Sequence, residues 1–191
     1  IAAAQAAAGL PSGLLAALGR VESGRLDPQT GTVRPWPWTI NVAGQGFFFP
    51  NKATAVAAVQ ELQADGIRSI DVGCLQVNLM YHPAAFASLE QAFDPAANAR
   101  YAARFLNALY YRSRDWTQAI GEYHSETPTL GAAYRTRVMA RWHPPGGAGP
   151  PGYADFAPVT TTYGAFRSDA AYADFAPAGL PRPRAHRPSR R

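Results

Sequence analysis

Glu22 is the residue of this sequence best placed for acid–base chemistry. Apolar residues from Leu14 to Val21 recur at helical spacing, and Gly24 ends the helix that they predict. Glu22 therefore falls in the last turn, beside the apolar stripe and at the negative end of the helix dipole. A carboxyl that is desolvated or close to negative charge keeps its proton near neutral pH and can act as a general acid. Taken alone, however, a glutamate at the end of a helix is usually an ordinary surface residue.

Three further segments accompany Val21-Glu22-Ser23-Gly24. In chain order they are Asp71-Val-Gly-Cys-Leu-Gln-Val-Asn78, Asp94-Pro-Ala-Ala-Asn98 and Ala119-Ile-Gly-Glu-Tyr-His-Ser125. Together the four segments resemble the motifs of the soluble lytic transglycosylase (SLT) family, which are Glu-Ser, Gly-Leu-Met-Gln-Ile/Val-Asn, Asp-Pro-x-x-Asn and Ala-Tyr-Asn-Ala-Gly. Their order and approximate spacing also match, and the resemblance covers residues 9–142, roughly.

The resemblance implies a role for each matched residue. Glu22 would be the general acid that then acts as base, and Ser23 would hydrogen-bond near it and orient the substrate. Gln76 would contact the sugar or its N-acetyl group, and Tyr123 would hydrogen-bond near the catalytic carboxyl. Asn78 and Asn98 are expected to hold loops and caps.

The sequence also departs from the family pattern. Cys74-Leu75 replaces Leu-Met, which conserves bulk, and Ala102 stands where a helix glycine is usual. His124-Ser125 replaces Asn-Ala, which weakens the case for a substrate contact there.

The family reaction is a non-hydrolytic cleavage of the β-1,4 bond between N-acetylmuramic acid (MurNAc) and N-acetylglucosamine (GlcNAc) in peptidoglycan. The MurNAc C6 hydroxyl attacks its own anomeric carbon and gives a 1,6-anhydro end, without a metal, a cofactor or a second carboxylate. A hydrolase would prefer a paired carboxylate, for which Asp71, Glu122 and Glu126 are candidates. Three hypotheses stay open: a lytic transglycosylase, a lysozyme-type muramidase with the same Glu22, and a non-catalytic glycan-binding or secretion-assembly module.

An aromatic segment follows the first helix. Trp36 and Trp38 alternate with polar residues up to Val42, a turn follows, and Phe47 to Phe49 return, so the pattern predicts a small β-hairpin. The face of Trp36 or Trp38 could stack on a sugar ring, and we take Trp38 as a candidate substrate contact. Packing beneath the hairpin is the alternative.

The remaining pattern is helical. Helices are predicted at 53–64, 95–113, 115–124 and 130–142, whereas residues 71–78 have no clear period. The sequence therefore favours a mainly α, lysozyme-like (goose-type lysozyme/SLT) domain that bears one small β-hairpin.

The composition changes abruptly after His143. Residues 144–152 consist of Pro, Gly and Ala, and a Tyr-Ala-Asp-Phe-Ala-Pro motif occurs at both 153–158 and 172–177. We predict a catalytic domain at 1–143 and a disordered, Arg-ended tail at 144–191. Five arginines and no acids at 178–191 account for the net charge of +5, so residues 1–177 are neutral. This balance argues against a nucleic-acid surface on the body of the protein.

Localisation and partners follow from the resemblance rather than from a targeting segment. The Ala-rich stretch after Ile1 has no positive n-region, so a periplasmic or secreted location is inferred from the substrate. No apolar run approaches the roughly 20 residues that span a bilayer. The expected partners of this monomer are peptidoglycan strands and an envelope-spanning secretion or flagellar complex. The single cysteine, Cys74, is expected to be a small buried apolar group.

Overall fold

The helices form where apolar residues recur at helical spacing behind a capping residue. Asn51, Asp94 and Asp115 each accept a hydrogen bond from a backbone N–H in the first turn of a helix. The computed structural model describes residues 1–142, of which about half are helical. The helices in this part are α1 (Ala2–Ala7), α2 (Leu14–Ser23), α3 (Lys52–Ala64), α4 (Leu89–Ala92), α5 (Pro95–Ser113), α6 (Trp116–His124) and α7 (Pro128–Met139).

Short strands form two small antiparallel sheets in the described residues. They are β1 (Gly24–Leu26), β2 (Val33–Pro35), β3 (Thr39–Val42), β4 (Gln45–Phe48), β5 (Asp71–Val72) and β6 (Val77–Asn78). Strands β1 and β2 pair with each other, and the second sheet has the order β4-β3-β5-β6. The fold is therefore mainly helical with two sheets. The sequence predicted one β-hairpin and missed the other strands, because strands of two or three residues are too short to show an alternating pattern.

The buried apolar residues form two cores. The larger core surrounds α2, whose Leu14, Leu15 and Leu18 are fully buried, and it includes side chains from α1, α5, α6 and α7. The smaller core lies between α3 and the sheet, where Val59 packs with Ile40 and Val72. Helix α2 is thus packed against α1 and α7 and against strands β1 and β2, and its C-terminal end leads directly into β1.

Several boundaries differ from the sequence prediction for local reasons. Helix α2 begins at Leu14, where the apolar pattern begins, and Gly13 adopts a left-handed conformation (φ 80°) as its N-cap. Trp36 and Trp38 precede β3 rather than belonging to it, and Pro37 between them has no N–H for a strand ladder. Helix α5 has the predicted bounds.

The helices of residues 1–142 include none with the length and apolar character needed to cross a membrane. The predicted tail at 144–191, with its repeated motif, lies outside the described residues.

Candidate active site

Glu22 lies at the end of α2, as predicted, with its neighbours Val21 and Ser23 buried. Its own side chain is partly exposed. The helix stops at Gly24, whose extended backbone turns directly into β1. Glu22 is therefore held by a buried helix while part of its surface stays accessible, as a group that transfers protons to a substrate requires.

Tyr134 is the direct partner of Glu22. Its hydroxyl, on helix α7, donates a short hydrogen bond of 2.5 Å to Glu22 Oε1. The Tyr134 side chain is 1% exposed, so the bond is fixed by the packing of α7 against α2. Tyr134 was not predicted as a site residue, since it lies 112 positions from Glu22 and belongs to none of the four motifs.

The electrostatic surroundings keep Glu22 protonated. Burial raises the pKa of its carboxyl to about 8, and the negative charge of Asp71 contributes to the increase. The hydrogen bond from Tyr134 and the positive charge of Arg137 lower the pKa but do not outweigh burial. At neutral pH the Glu22 carboxyl therefore carries the proton that a general acid needs.

Ser23 holds the end of α2 to the neighbouring loop. Its hydroxyl donates to the carbonyl of Cys74 (2.8 Å) and accepts from the backbone N–H of Trp36 (3.2 Å). Ser23 is 1% exposed, so a substrate cannot reach it in this conformation. The expected role in orienting the substrate is thus limited to positioning Glu22, because burial rules out a direct contact.

The loop from Gly73 to Gln76 is tied down by Asn98, which is fully buried on α5. Asn98 Oδ1 accepts from the N–H of Leu75 (2.9 Å), and Nδ2 donates to the carbonyls of Val72 (3.0 Å) and Ala92 (3.1 Å). Asn78 caps the following turn by accepting from the N–H groups at positions 80 and 81. The prediction that Asn78 and Asn98 hold loops is confirmed.

Gln76 lies on this loop with a left-handed backbone (φ 48°) and is partly exposed. Its Nε2 donates to the carbonyls of Gly73 (2.9 Å) and Thr39 (3.2 Å). These two bonds use both amide hydrogens, so Oε1 is the group with which Gln76 could accept a hydrogen bond from a sugar hydroxyl or an N-acetyl N–H.

Tyr123 contacts the same loop rather than the catalytic carboxyl. Its hydroxyl donates to the carbonyl of Leu75 (2.8 Å), and its ring stacks near Tyr134 with 6.5 Å between centroids. The predicted hydrogen bond close to the carboxyl is therefore made by Tyr134, and Tyr123 supports the loop next to it. Phe105 and His124 extend the row of ring contacts on either side, at 5.5 Å from Tyr123 and 4.7 Å from Tyr134.

The side chains of Trp36 and Trp38 make different contacts. Trp36 donates from Nε1 to the carbonyl of Phe49 (2.8 Å), and the Arg25 guanidinium lies 4.5 Å from its ring centroid. Trp38 packs edge-on against Trp36 at 5.5 Å and is partly exposed. Trp38 also packs against the smaller apolar core, in keeping with the alternative role, and its exposed part remains a candidate sugar contact.

The three candidates for a second carboxylate differ in their partners and in their distance from the Glu22 site. Glu122 and Glu126 both pair with Arg112, at 2.9 and 3.2 Å, on the exposed side of the helices. Asp71 instead accepts a hydrogen bond from Asn78 (2.8 Å), and its charge acts on Glu22. Burial raises the pKa of Asp71 to about 6, although the hydrogen bond from Asn78 opposes the increase. Asp71 is the only one of the three that belongs to the Glu22 site.

Cys74 is a buried, protonated thiol in the same loop. It is 2% exposed, its Sγ lies 3.4 Å from Asn98 Oδ1, and burial raises the pKa of the thiol to about 11. The prediction of a small buried group is confirmed.

A thiol of this kind should resist modification in the folded protein. We expect an aromatic disulfide reagent at pH 8 to react with native Cys74 at least about 100-fold more slowly than with the denatured chain, because both access and the thiolate fraction are reduced. The released chromophore measures both rates. Equal rates in the native and denatured protein would contradict the burial of Cys74.

Comparison of the chain with models of protein families, with curated proteins and with solved structures gives no match. A functional assignment therefore depends on the four sequence motifs and on the arrangement of Glu22, Tyr134, Gln76 and Asp71.

Proposed function

We propose that this protein is a peptidoglycan lytic transglycosylase with a lysozyme-like domain. It would cleave the MurNAc-GlcNAc β-1,4 bond with Glu22 as the sole general acid and base. The observation that carries the proposal is a protonated carboxyl, bonded by Tyr134, on a partly exposed residue at the end of a buried helix. A glycan-cleaving enzyme needs such a proton donor at the leaving oxygen. Peptidoglycan as substrate implies a periplasmic or secreted protein, with a secretion or flagellar complex as a further partner.

The reaction has two proton transfers, and Glu22 takes part in both. In the first, the neutral carboxyl gives its proton to the glycosidic oxygen, the bond from C1 of MurNAc to that oxygen breaks, and the GlcNAc end leaves. In the second, the Glu22 carboxylate removes the proton of the MurNAc C6 hydroxyl while O6 forms a bond to C1. The product is a 1,6-anhydro ring, and Glu22 is protonated again.

Tyr134 assists the charged form of Glu22. Its hydrogen bond to Oε1 becomes stronger when the carboxyl loses its proton, because hydrogen bonds to an ionised acceptor are stronger than those to a neutral one. The bond thus favours the state that follows proton donation, and the other carboxyl oxygen, Oε2, is left to face the substrate.

Tyr134→Phe tests this assignment. The hydrogen bond lowers the pKa of Glu22, so its loss should raise that pKa and move the alkaline limb of the pH profile above its wild-type position near pH 8. We also expect cleavage at the optimum to fall by about 10-fold, the effect of losing one hydrogen bond to a charged group. The pH dependence of kcat/KM on soluble glycan strands measures both effects. An unmoved alkaline limb would contradict the role of Tyr134.

Hydrolysis is the second candidate, and Asp71 is the observation that favours it. With pKa values of about 6 for Asp71 and about 8 for Glu22, the first is mostly ionised at pH 7 while the second is mostly protonated. Two carboxyls in these states are typical of glycosidases that use an acid and an ionised partner. Asp71 would then orient or deprotonate an attacking water molecule.

Product analysis of digested sacculi separates the candidates. Mass spectrometry should find 1,6-anhydro ends if the transglycosylase proposal is right, and reducing ends without anhydro ends would replace it by a muramidase. Asp71→Asn should leave the rate of the transglycosylase reaction largely unchanged, but it should lower the rate of hydrolysis by at least about 100-fold. No cleavage by the unmodified protein would instead favour a non-catalytic glycan-binding module.

A further inference from the structure

Arg137 lies one helical turn after Tyr134 on α7, at the edge of the candidate site. Its guanidinium carbon is 5.6 Å from the centroid of the Tyr134 ring, and the hydroxyl of that same ring is bonded to Glu22. Glu22 and His124 both contact Tyr134, and the positive charge of Arg137 acts on each. It opposes the increase in the pKa of Glu22, and it adds to the decrease that burial causes in the pKa of His124. A cation is therefore held within a short distance of the reacting atoms.

This cation has no protein counter-charge in the part of the chain that the structure describes. The ion pairs between side chains of residues 1–142 are made by Arg34 and Arg112, and Arg137 takes part in none of them. Its Nε is buried and has no hydrogen-bond partner there. A buried N–H that lacks a partner is unfavourable, and its presence means that no acceptor in this part of the chain holds the guanidinium group. Glu22 does not neutralise it, because burial keeps that carboxyl protonated at neutral pH.

We propose that Arg137 binds a carboxylate of the substrate and so makes the enzyme specific for the acid-bearing sugar. The inference rests on the proposed function. GlcNAc carries no acid, whereas MurNAc carries a lactyl group that ends either in a free carboxylate or in a peptide stem with its own carboxylates. Planar guanidinium groups bind carboxylates through two parallel hydrogen bonds, and in Arg137 the two terminal nitrogens would donate them, because Nε is buried.

The position of Arg137 suits this role because the reacting sugar is itself MurNAc. Glu22 must touch the oxygen bound to C1 of that sugar, and Arg137 is separated from Glu22 only by the Tyr134 ring. The lactyl group on C3 of the same ring is thus the nearest acidic part of the substrate. A carboxylate bound here would also place the sugar in a fixed orientation for proton transfer.

The experiment compares native sacculi with sacculi whose carboxylates have been converted to methylamides. Each is digested by the wild-type protein, by Arg137→Gln and by Arg135→Gln, and released fragments are quantified at the pH optimum of each variant. Arg135 is a matched control because it lies on the same helix but acts on Asp115 rather than on Glu22. Circular dichroism and melting temperature check that each variant is folded.

We expect amidation to slow the wild-type protein and Arg135→Gln by about 10-fold or more, as the loss of a charged partner does. Arg137→Gln should cleave native sacculi about 10-fold more slowly and should respond little to amidation. Equal slowing of Arg137→Gln on native and amidated sacculi relative to wild type would overturn the inference, as would a wild-type rate that ignores amidation both of sacculi and of glycan strands stripped of their peptides. The comparison of wild-type rates on substrates with and without amidation needs no variant, so a failure of Arg137→Gln to fold would not prevent the test.

Glycan strands stripped of their peptides distinguish the two sources of the carboxylate. If the lactyl carboxylate is bound, stripped strands should be cleaved at least as fast as native ones, and Arg137→Gln should slow their cleavage. If a stem carboxylate is bound, stripped strands should be cleaved slowly by every variant. A wild-type protein that cleaves none of these substrates would overturn the proposed function itself, which is a different result from cleavage that is independent of Arg137.

Discussion

Glu22→Gln is expected to lower the rate of peptidoglycan cleavage by about 10²–10⁴-fold, the usual contribution of a general acid and base. Glutamine keeps the shape of the side chain and can still accept the hydrogen bond from Tyr134. It has no proton to give to the leaving oxygen and cannot take one from the C6 hydroxyl. Clearing zones in gels that contain peptidoglycan, followed by quantified product release, measure the change.

The control for this substitution is Glu61→Gln, which makes the same chemical change on an exposed position of α3. This variant should cleave like the wild type. If Glu22→Gln cleared peptidoglycan as fast as Glu61→Gln, Glu22 would not be the catalytic acid.

Glu22→Gln should also change how the stability of the protein depends on pH. The unfolded chain loses the Glu22 proton near the ordinary pKa, whereas the folded protein keeps it up to about pH 8. Between these values the unfolded state binds fewer protons, so the free energy of unfolding of the wild type falls as the pH rises. Glu22→Gln should therefore melt at a higher temperature than the wild type above pH 8 and at nearly the same temperature below pH 4. Melting curves that stay parallel across this range would contradict the raised pKa.

Gly73→Ala is expected to destabilise the protein by about 2–5 kcal/mol, because it combines a strained backbone with overpacking. Gly73 has a φ of 80°, and a Cβ placed there would lie 2.3 Å from Nδ2 of the buried Asn98. Asn98 cannot move away without giving up its bonds to the loop. The free energy of unfolding in urea measures the loss, and glycan cleavage should decrease with it because Gln76 is on the same loop.

Gly44→Ala separates the two causes. Gly44 has a φ of 81°, but no atom lies within 4 Å of the Cβ position. This variant carries the backbone strain alone and should lose only about 1 kcal/mol. Equal losses at Gly44 and Gly73 would show that the close approach of Asn98 is unimportant.

Local features of this protein could be predicted from its sequence. The bounds of α5 and the place of Glu22 in the last turn of α2 follow from apolar spacing, from Pro95 after a capping Asp94, and from Gly24. The turn-holding role of Asn98 was expected from its motif and is confirmed.

Features that depend on long-range pairing could not be predicted. The bond from Tyr134 to Glu22 joins residues 112 positions apart, and the burial of Ser23 depends on Cys74, 51 positions away. Helical periodicity reports only which face of a segment is apolar, and it does not say which other segment covers that face. The family resemblance led us to expect the hydrogen bond of Tyr123 near the catalytic carboxyl, and the packing of α6 places its hydroxyl on the carbonyl of Leu75.

The hydrogen bonds of Asn98 also set when the loop from Gly73 to Gln76 can open. The Leu75 N–H lies in a turn, where amide protons usually exchange quickly with water, but its acceptor belongs to a fully buried side chain of α5. We expect this proton to exchange only when the loop and Asn98 separate, which also removes the hydrogen bonds of Asn98 to the carbonyls of Val72 and Ala92. We therefore expect the Leu75 amide to exchange as slowly as amides inside the helices, because the loop that carries Gln76 is held in place before any substrate arrives.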